Sequence, residues 1–548
     1  MSICFNSLYK RIFLAKIKKA NNISVETENT LLEACDPLTL SATAILPQDY
    51  IKQNAKPPTD DQVKTGDVDL GWKKIDGEWI RTELKEYDKR VSPNFETSIL
   101  GEDDLFTTYT CFEKCVGKTI RSKIIHPLID TAVYVEDNTI LQETLLGEGQ
   151  AQPESYNTDF NMQTDESFSR IFFYGLGAVL LCEESNNDIT RLDLGPYMVD
   201  IPLQELEVRD GFRRYGCRIH FDDNQIVSAI HDYAKNKTYK RNDKDWQEAK
   251  WLAKVNTFFL VTVKHHLIWT HLVVSNVTTR ETIVHLPPDH PLRRLLTIFT
   301  YRSTEINTSA FDVLIPENSL LHRACALEYS SMVSMFDTAY VTSNAYEPFV
   351  ERKVKPELVA LSKQGKFPYL SEGFEYYGIV DSFVRDWITE AGMENILDEN
   401  AMLFYDAMRE HSFGQKYVIP SYQGTEDMVK LLSQIIFSVT AMHELVGTVV
   451  DYTSDINRAG FRIGNTEKVT IDVQSLLLTS IIAASTSLRM PSLMEPYPNF
   501  FYGWERKVWD RFLSKLKDQS KKVQEAEKNR KFEFKYFDPR RFECSVSL

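Results

Sequence analysis

The sequence predicts a mainly α fold built around two long buried helices, with a few strands at its periphery. Two stretches and one general pattern carry that expectation. Residues 246–272, "WQEAKWLAKVNTFFLVTVKHHLIWTHL", run for 27 residues without proline or glycine, which suits one long helix sunk in a core. Residues 429–452, "VKLLSQIIFSVTAMHELVGTVVDY", are similarly apolar. Helical patterns cover 246–276, 291–304, 373–391, 426–450, 471–488 and 500–528, and no repeat period links them.

The elements follow in order. Residues 1–22 are apolar with interrupting basic residues and lack a continuous hydrophobic region or a small-residue cleavage site, so a signal peptide is not expected. A solvated basic helix, with peripheral membrane contact as the alternative, fits them better. Residues 22–160 are rich in Asp, Glu, Pro, Thr and Asn, and 46–62 and 147–160 read as loops. No succession of short alternating strands marks an all-β accessory domain there. The expected organisation is a divergent N-terminal region over 1–160, of loops and helices, packed on a helical domain over 161–548. "DESFSRIFFYGLG" (165–177) opens with an acidic turn before apolar periodicity, a helix-start signature. "GCRIHFDDNQIVSAI" (216–230) alternates around Asp-Asp-Asn, which suggests a hairpin.

At 548 residues the chain exceeds the usual single-domain size. Its 43% hydrophobic and 26% charged content is that of a soluble globular protein. A net charge of −15 argues against nucleic acid as a partner, because phosphate binding requires a basic surface. It leaves lipid substrates open. Eight scattered cysteines do not form a disulfide framework, and the close pair Cys111 and Cys115 reads as free thiols. A reducing, cytoplasmic compartment is expected. No stretch reaches the roughly 18–20 apolar residues that spanning a bilayer requires, and a monomer is expected.

The chemistry concentrates in the histidines. Of 11 in the chain, His265, His266, His271, His285 and His290 fall within 26 residues. Buried imidazoles need partners, and a metal would supply one. His266 and His271 are five apart, about 140° round a regular α-helix. Only a π-type bulge, closing i to i+5, brings both rings to one side. His265 points away from the pair and reads as structural. His443 stands alone on the second helix, with Gly447 one turn later on the same face.

Together these residues resemble the lipoxygenases, the non-haem iron dioxygenases of polyunsaturated fatty acids. The resemblance rests on Trp246, Ala249-Lys250, His266 and His271, His290-Pro291 and Ile306-Asn307, then "HELVGTVVDY" (443–452) and the ending "NRKFEFKYFDPRRFECSVSL". Weaker echoes are "DESF" at 165, residues 206–224 and residues 368–384. The likeness covers roughly 165–548, in the manner of the short forms without the N-terminal lipid-associated β-sandwich. It implies iron, one per chain, rather than manganese, held by His266, His271, His443 and the α-carboxylate of Leu548. It implies a substrate pocket lined by Leu267, Leu272, Ala310, Leu314, Phe374, Tyr377 and Val380. Three imidazoles and a carboxylate with an open position suit non-haem iron.

Four positions depart from the family pattern. Gly447 stands where a further ligand is common and leaves a vacant fifth-ligand position. The chain ends on Leu548 rather than isoleucine, Val261 replaces a frequent histidine, and Phe311 replaces a frequent arginine. Ala310 falls where, in this family, alanine goes with S oxygenation. The activity implied is hydrogen abstraction from a bis-allylic carbon followed by capture of O2, giving a hydroperoxide. The alternatives are a fatty acid hydroperoxide isomerase, an oxygenase of a non-standard lipid on the same metal site, or a low-activity lipid-binding homologue.

Overall fold

The computed structural model describes residues 72–75, 78–81, 164–183, 194–447, 460–464 and 492–546, with short gaps at 288–289, 302, 304–305, 308–309, 311–313, 316–319, 495–496, 498–500 and 502. Apart from residues 72–75 and 78–81, where strands stand instead of the expected loops and helices, the N-terminal region over 1–160, Cys111 and Cys115 included, lies outside the described residues, as do the helix over 471–488, Phe311 and Leu548. A small hairpin, β1 (Trp72–Ile75) and β2 (Glu78–Arg81), pairs Trp72 with Arg81.

The helical body begins with α1 (Asp165–Phe173), capped by Thr164, whose side chain accepts from the Ser167 N–H, and a short α2 (Ala178–Leu181). An antiparallel sheet follows in the order β3 (Tyr197–Ile201), β4 (Cys217–Phe221), β5 (Val227–Asp232), β6 (Lys237–Lys240). The expected hairpin is β4–β5. Its turn is held by Asp222, whose carboxylate accepts from the N–H groups of Asn224 and Ile226.

The centre of the molecule is α3 (Trp246–His285), 40 residues long. Its start is pinned to α1: Trp246 Nε1 and Lys250 Nζ both donate to Asp165, at 2.8 and 2.7 Å. The tryptophan, the lysine and the "DESF" echo are thus one structural clamp. After α4 (Pro291–Phe299) come α5 (Tyr329–Val341), α6 (Pro356–Lys363), α7 (Pro368–Ala391) and α8 (Glu399–Ser412). The second apolar helix, α9 (Thr425–Gly447), and the amphipathic α10 (Gly503–Glu527) complete the set. Helix α7 packs against both α9 and α10, and the C-terminal part of α3 packs against α8.

Helices α3 and α9 are both long and apolar enough to cross a membrane, which corrects the expectation that no stretch is. In both, 89% of the apolar window is buried inside the fold, so burial by protein accounts for the composition. His290 caps α4: its Nδ1 accepts from the Leu292 N–H and its Nε2 donates to Asp398 at 3.1 Å. A buried pair, Arg294 with Glu505 at 2.9 Å, ties α4 to α10. Beyond α10 the tail threads back into the core, with Phe542, Cys544 and Val546 essentially inaccessible. It is anchored by Ser545, which donates to the Tyr301 carbonyl, and by Arg541, which pairs with Glu444 at 2.6 Å.

Candidate metal centre

Helix α3 changes its winding where the histidines lie. From Val261 to Ser275 it is a π-helix, fifteen residues long, between regular α-helical segments Trp246–Leu260 and Asn276–His285. The Asn276 N–H reaches back five residues to the His271 carbonyl. The spacing of His266 and His271 demands this distortion, and it is present. Helix α9 does the same on a smaller scale: Ser438–Met442 is a π turn, and the His443 N–H donates to the Ser438 carbonyl five residues earlier.

The two distortions bring three ring nitrogens together. His266 Nε2 lies 3.1 Å from His271 Nε2, which lies 3.2 Å from His443 Nε2. All three ligand atoms fall within 4.8 Å of one another. His271 and His443 are buried and His266 is partly open. Burial, reinforced by the neighbouring His271 and His443, holds the His266 imidazole well below its ordinary pKa, so the ring is neutral and offers a lone pair.

Asn307 fixes the orientation of one ring. Its Oδ1 accepts from His271 Nδ1 at 3.1 Å, while its Nδ2 donates to the His271 carbonyl at 3.4 Å and to Asn276 Oδ1 at 3.5 Å. A proton on Nδ1 leaves Nε2 aimed at the centre as an acceptor, the usual arrangement behind a metal-bound imidazole. The sequence reading quoted Ile306-Asn307 without giving Asn307 this positioning role. Three imidazoles whose ring nitrogens converge within 4.8 Å present one set of nitrogen donors, and that set fits an ion of the non-haem iron class.

Gly447 faces the same point. A Cβ added there would lie 3.2 Å from His266 Nε2, so the absence of a side chain keeps a cradle beside that nitrogen. His265 is turned away, as expected, with Nε2 3.1 Å from Glu183. Of the proposed pocket residues, Leu267 and Leu272 follow His266 and His271 on the π segment and are buried. Ala310 and Leu314 are partly buried against the core. Tyr377 and Val380 are buried on α7, where Tyr377 packs its ring on Phe437 at 5.5 Å. Phe374 is a correction. It is 37% exposed and leans on Phe349, because the helical phase that buries Tyr376, Tyr377 and Val380 turns position 374 outward.

No family model matches the chain. Over 335 residues it is 22% identical to human hydroperoxide isomerase ALOXE3, a match spanning 56% of this chain and 46% of that protein. The chain therefore spans about half the length of that relative. Among solved structures, coral 8R-lipoxygenase superposes with a TM-score of 0.68 at 15% identity, covering 91% of this chain and 81% of that one. A calcium-dependent 11R-lipoxygenase gives 0.65 at 15%, covering 96% and 81%. A lipoxygenase variant in complex with arachidonate gives 0.63 at 16%, covering 96% and 82%.

The fold is that of the lipoxygenases, mainly helical with few strands. The resemblance read from the sequence motifs is borne out.

Proposed function

We propose that the protein is a non-haem iron dioxygenase that converts a polyunsaturated fatty acid and O2 to a hydroperoxide. The convergence of three imidazole nitrogens on two π-distorted helices is the observation that carries this reading. Bound there, iron would supply the one-electron chemistry that removes a hydrogen atom from a bis-allylic carbon. His266, His271 and His443 would hold it, with the α-carboxylate of Leu548 as the anionic ligand. The burial of the tail through Val546 supports that last assignment.

The chain's own residues set the conditions for the chemistry. Asn307 keeps the His271 ring in a ligating orientation. Leu267 and Leu272 place apolar surface beside the ligands, which keeps water from the reacting carbon. Ala310 sits on the adjacent segment, where its methyl group would shield one end of the radical from O2 and favour an S product. A cytoplasmic location belongs to the same reading.

Two measurements on one preparation test it. Metal analysis should give one iron per chain, and oxygen uptake should follow addition of linoleate or arachidonate. Consumption of a fatty acid hydroperoxide with no oxygen uptake would replace this reading by hydroperoxide isomerisation. Iron-free protein with neither activity would leave a lipid-binding homologue. Chiral analysis of the product, with Ala310→Gly expected to shift oxygen along the chain and towards R, tests the role of Ala310.

A further inference from the structure

Both helices that carry the three histidines are wound against the ordinary preference of a helix, and that winding has to be held. A π segment is rare because its wider ring packs and bonds less well than α winding. Rewinding it by one residue turns everything beyond it by about 100° round the helix axis. His443 directly follows Ser438–Met442, and His266 and His271 lie within Val261–Ser275. Loss of either π segment would therefore turn a ring away from the common point.

Hydroxyl groups are placed on both segments. In α9, Thr440 Oγ1 donates to the Ile436 carbonyl at 2.6 Å, and Tyr376 Oη lies 2.8 Å from that same Oγ1. The threonine proton is committed to the carbonyl, so Tyr376 donates to the threonine oxygen. In α3, Thr270 Oγ1 donates to the His265 carbonyl at 2.8 Å, and Tyr346 Oη donates to the Val273 carbonyl at 2.6 Å. Each π segment thus has a threonine bond from within and a tyrosine bond from outside.

The tyrosines belong to other parts of the fold. Tyr376 stands on α7 and Tyr346 in the connection between α5 and α6, and both are buried. The Tyr376 ring packs on Phe437, the last residue before the π turn, at 5.9 Å, and on Phe542 of the tail at 4.7 Å. The segment of Tyr346 is held by Gln434 on α9, which donates to the Ala345 carbonyl at 2.8 Å and accepts from the Phe349 N–H at 2.9 Å. A hydroxyl fixed in this way meets its partner in one winding only, because a one-residue slip moves the partner out of hydrogen-bond range.

We propose that Tyr376 and Tyr346 are positioning residues for the metal, each fixing one π segment by a hydrogen bond, Tyr376 for His443 and Tyr346 for His271. The proposal rests on the reading that these histidines hold a metal, but the winding itself can be followed without one.

The test uses the metal-stripped full-length protein, with cobalt(II) as the probe. Tyr376→Phe and Tyr346→Phe each delete one oxygen and leave the ring in place. Without metal, hydrogen exchange should quicken in the peptides containing Ser438–His443 and Val261–Ser275 respectively. Cobalt affinity should fall about tenfold in each variant, the scale for groups that orient metal ligands, and the visible bands of the bound cobalt should shift. In a Thr440→Val background, which lacks the acceptor, Tyr376→Phe should cost nothing further. Tyr405→Phe is the control: it deletes a hydroxyl bonded to the Pro420 carbonyl at 3.1 Å on α8 and should lower the melting temperature without altering cobalt binding. Wild-type exchange and cobalt affinity in either tyrosine variant would overturn its role. Faster exchange with unchanged cobalt affinity would do the same, as would an equal loss of affinity in Tyr405→Phe. A His443→Ala protein that binds cobalt as wild type does would overturn the metal reading, and the positioning role with it.

Discussion

Seven of the described histidines fall into two groups, four beside carboxylates and three beside one another, and the contrast marks the candidate site. His265, His285, His290 and His411 each face a carboxylate: Glu183 at 3.1 Å, Glu281 at 3.0 Å, Asp398 at 3.1 Å and Glu281 again at 2.8 Å. Each has a conventional reason to be where it is. His266, His271 and His443 face one another instead, nitrogen to nitrogen. An imidazole buried against a carboxylate is satisfied within the protein. Three imidazoles that share one focus offer a cation three ring nitrogens at once.

The largest expected effect breaks the second population. His266→Ala, His271→Ala and His443→Ala should each remove bound iron and activity, read by metal analysis and oxygen uptake. A folded His443→Ala protein that keeps full iron and turnover would dissolve the distinction between the two groups. Next comes the proposed anionic ligand. Deleting Leu548 withdraws the terminal carboxylate by one residue, about 3.8 Å along the chain, against a metal-bond tolerance of roughly 0.2 Å. Iron should be lost or much weakened, and a C-terminal tag should do the same. Normal iron content in a tagged protein would remove the carboxylate from the centre.

The first population should respond in stability rather than in metal. Glu281 is fully buried and joins α3 to α8 through His285 and His411. Burial would raise its carboxyl, but Arg280, His285 and His411 together hold it well below its ordinary value of 4.5. A depressed carboxyl contributes stability that is fully present above the unfolded pKa and is lost as pH falls through the folded one. Glu281→Gln should therefore cost roughly 3–5 kcal/mol at pH 7, the scale for breaking a buried pair. The gap to wild type should narrow below about pH 4.5, as urea unfolding across pH would show. Metal content should be unchanged. His265→Ala and His285→Ala should likewise keep their iron, at a smaller cost of about 1–3 kcal/mol.

Much of this division was legible in the sequence. A five-residue spacing on a helix cannot present two rings to one ion without π winding, so the distortion followed from His266 and His271 alone. Its extent, Val261–Ser275, did not follow, because an all-apolar stretch carries no mark of where α winding stops. The π turn before His443 was hidden for the same reason: a single histidine imposes no spacing. The role of Asn307 depends on a contact across 36 residues, which periodicity cannot show. Phe374 was misplaced because three aromatic residues within four positions, at 374, 376 and 377, leave the helical phase ambiguous until neighbouring helices fix it.

The smallest expected effect is at Gly447 and bears on how complete the imidazole set is. A Cβ there would meet His266 Nε2 at 3.2 Å, closer than a relaxed carbon–nitrogen contact, so Gly447→Ala must displace the ring by a few tenths of an ångström. A methyl crowds the nitrogen and offers no lone pair. It should cost about 1 kcal/mol of stability and weaken metal binding several-fold. Gly447→Asn crowds equally at Cβ but carries an amide oxygen one helical turn from His443, on the same face. If the glycine marks a vacated coordination position, asparagine should recover the affinity that alanine loses and alter the optical spectrum of a cobalt-substituted protein, while the stability cost remains. If α9 has repacked around the glycine, both variants should lose affinity alike and the spectra should match. Equal affinities for wild type, Ala and Asn would place Gly447 outside the centre altogether and leave the three histidines as its whole protein contribution from α3 and α9.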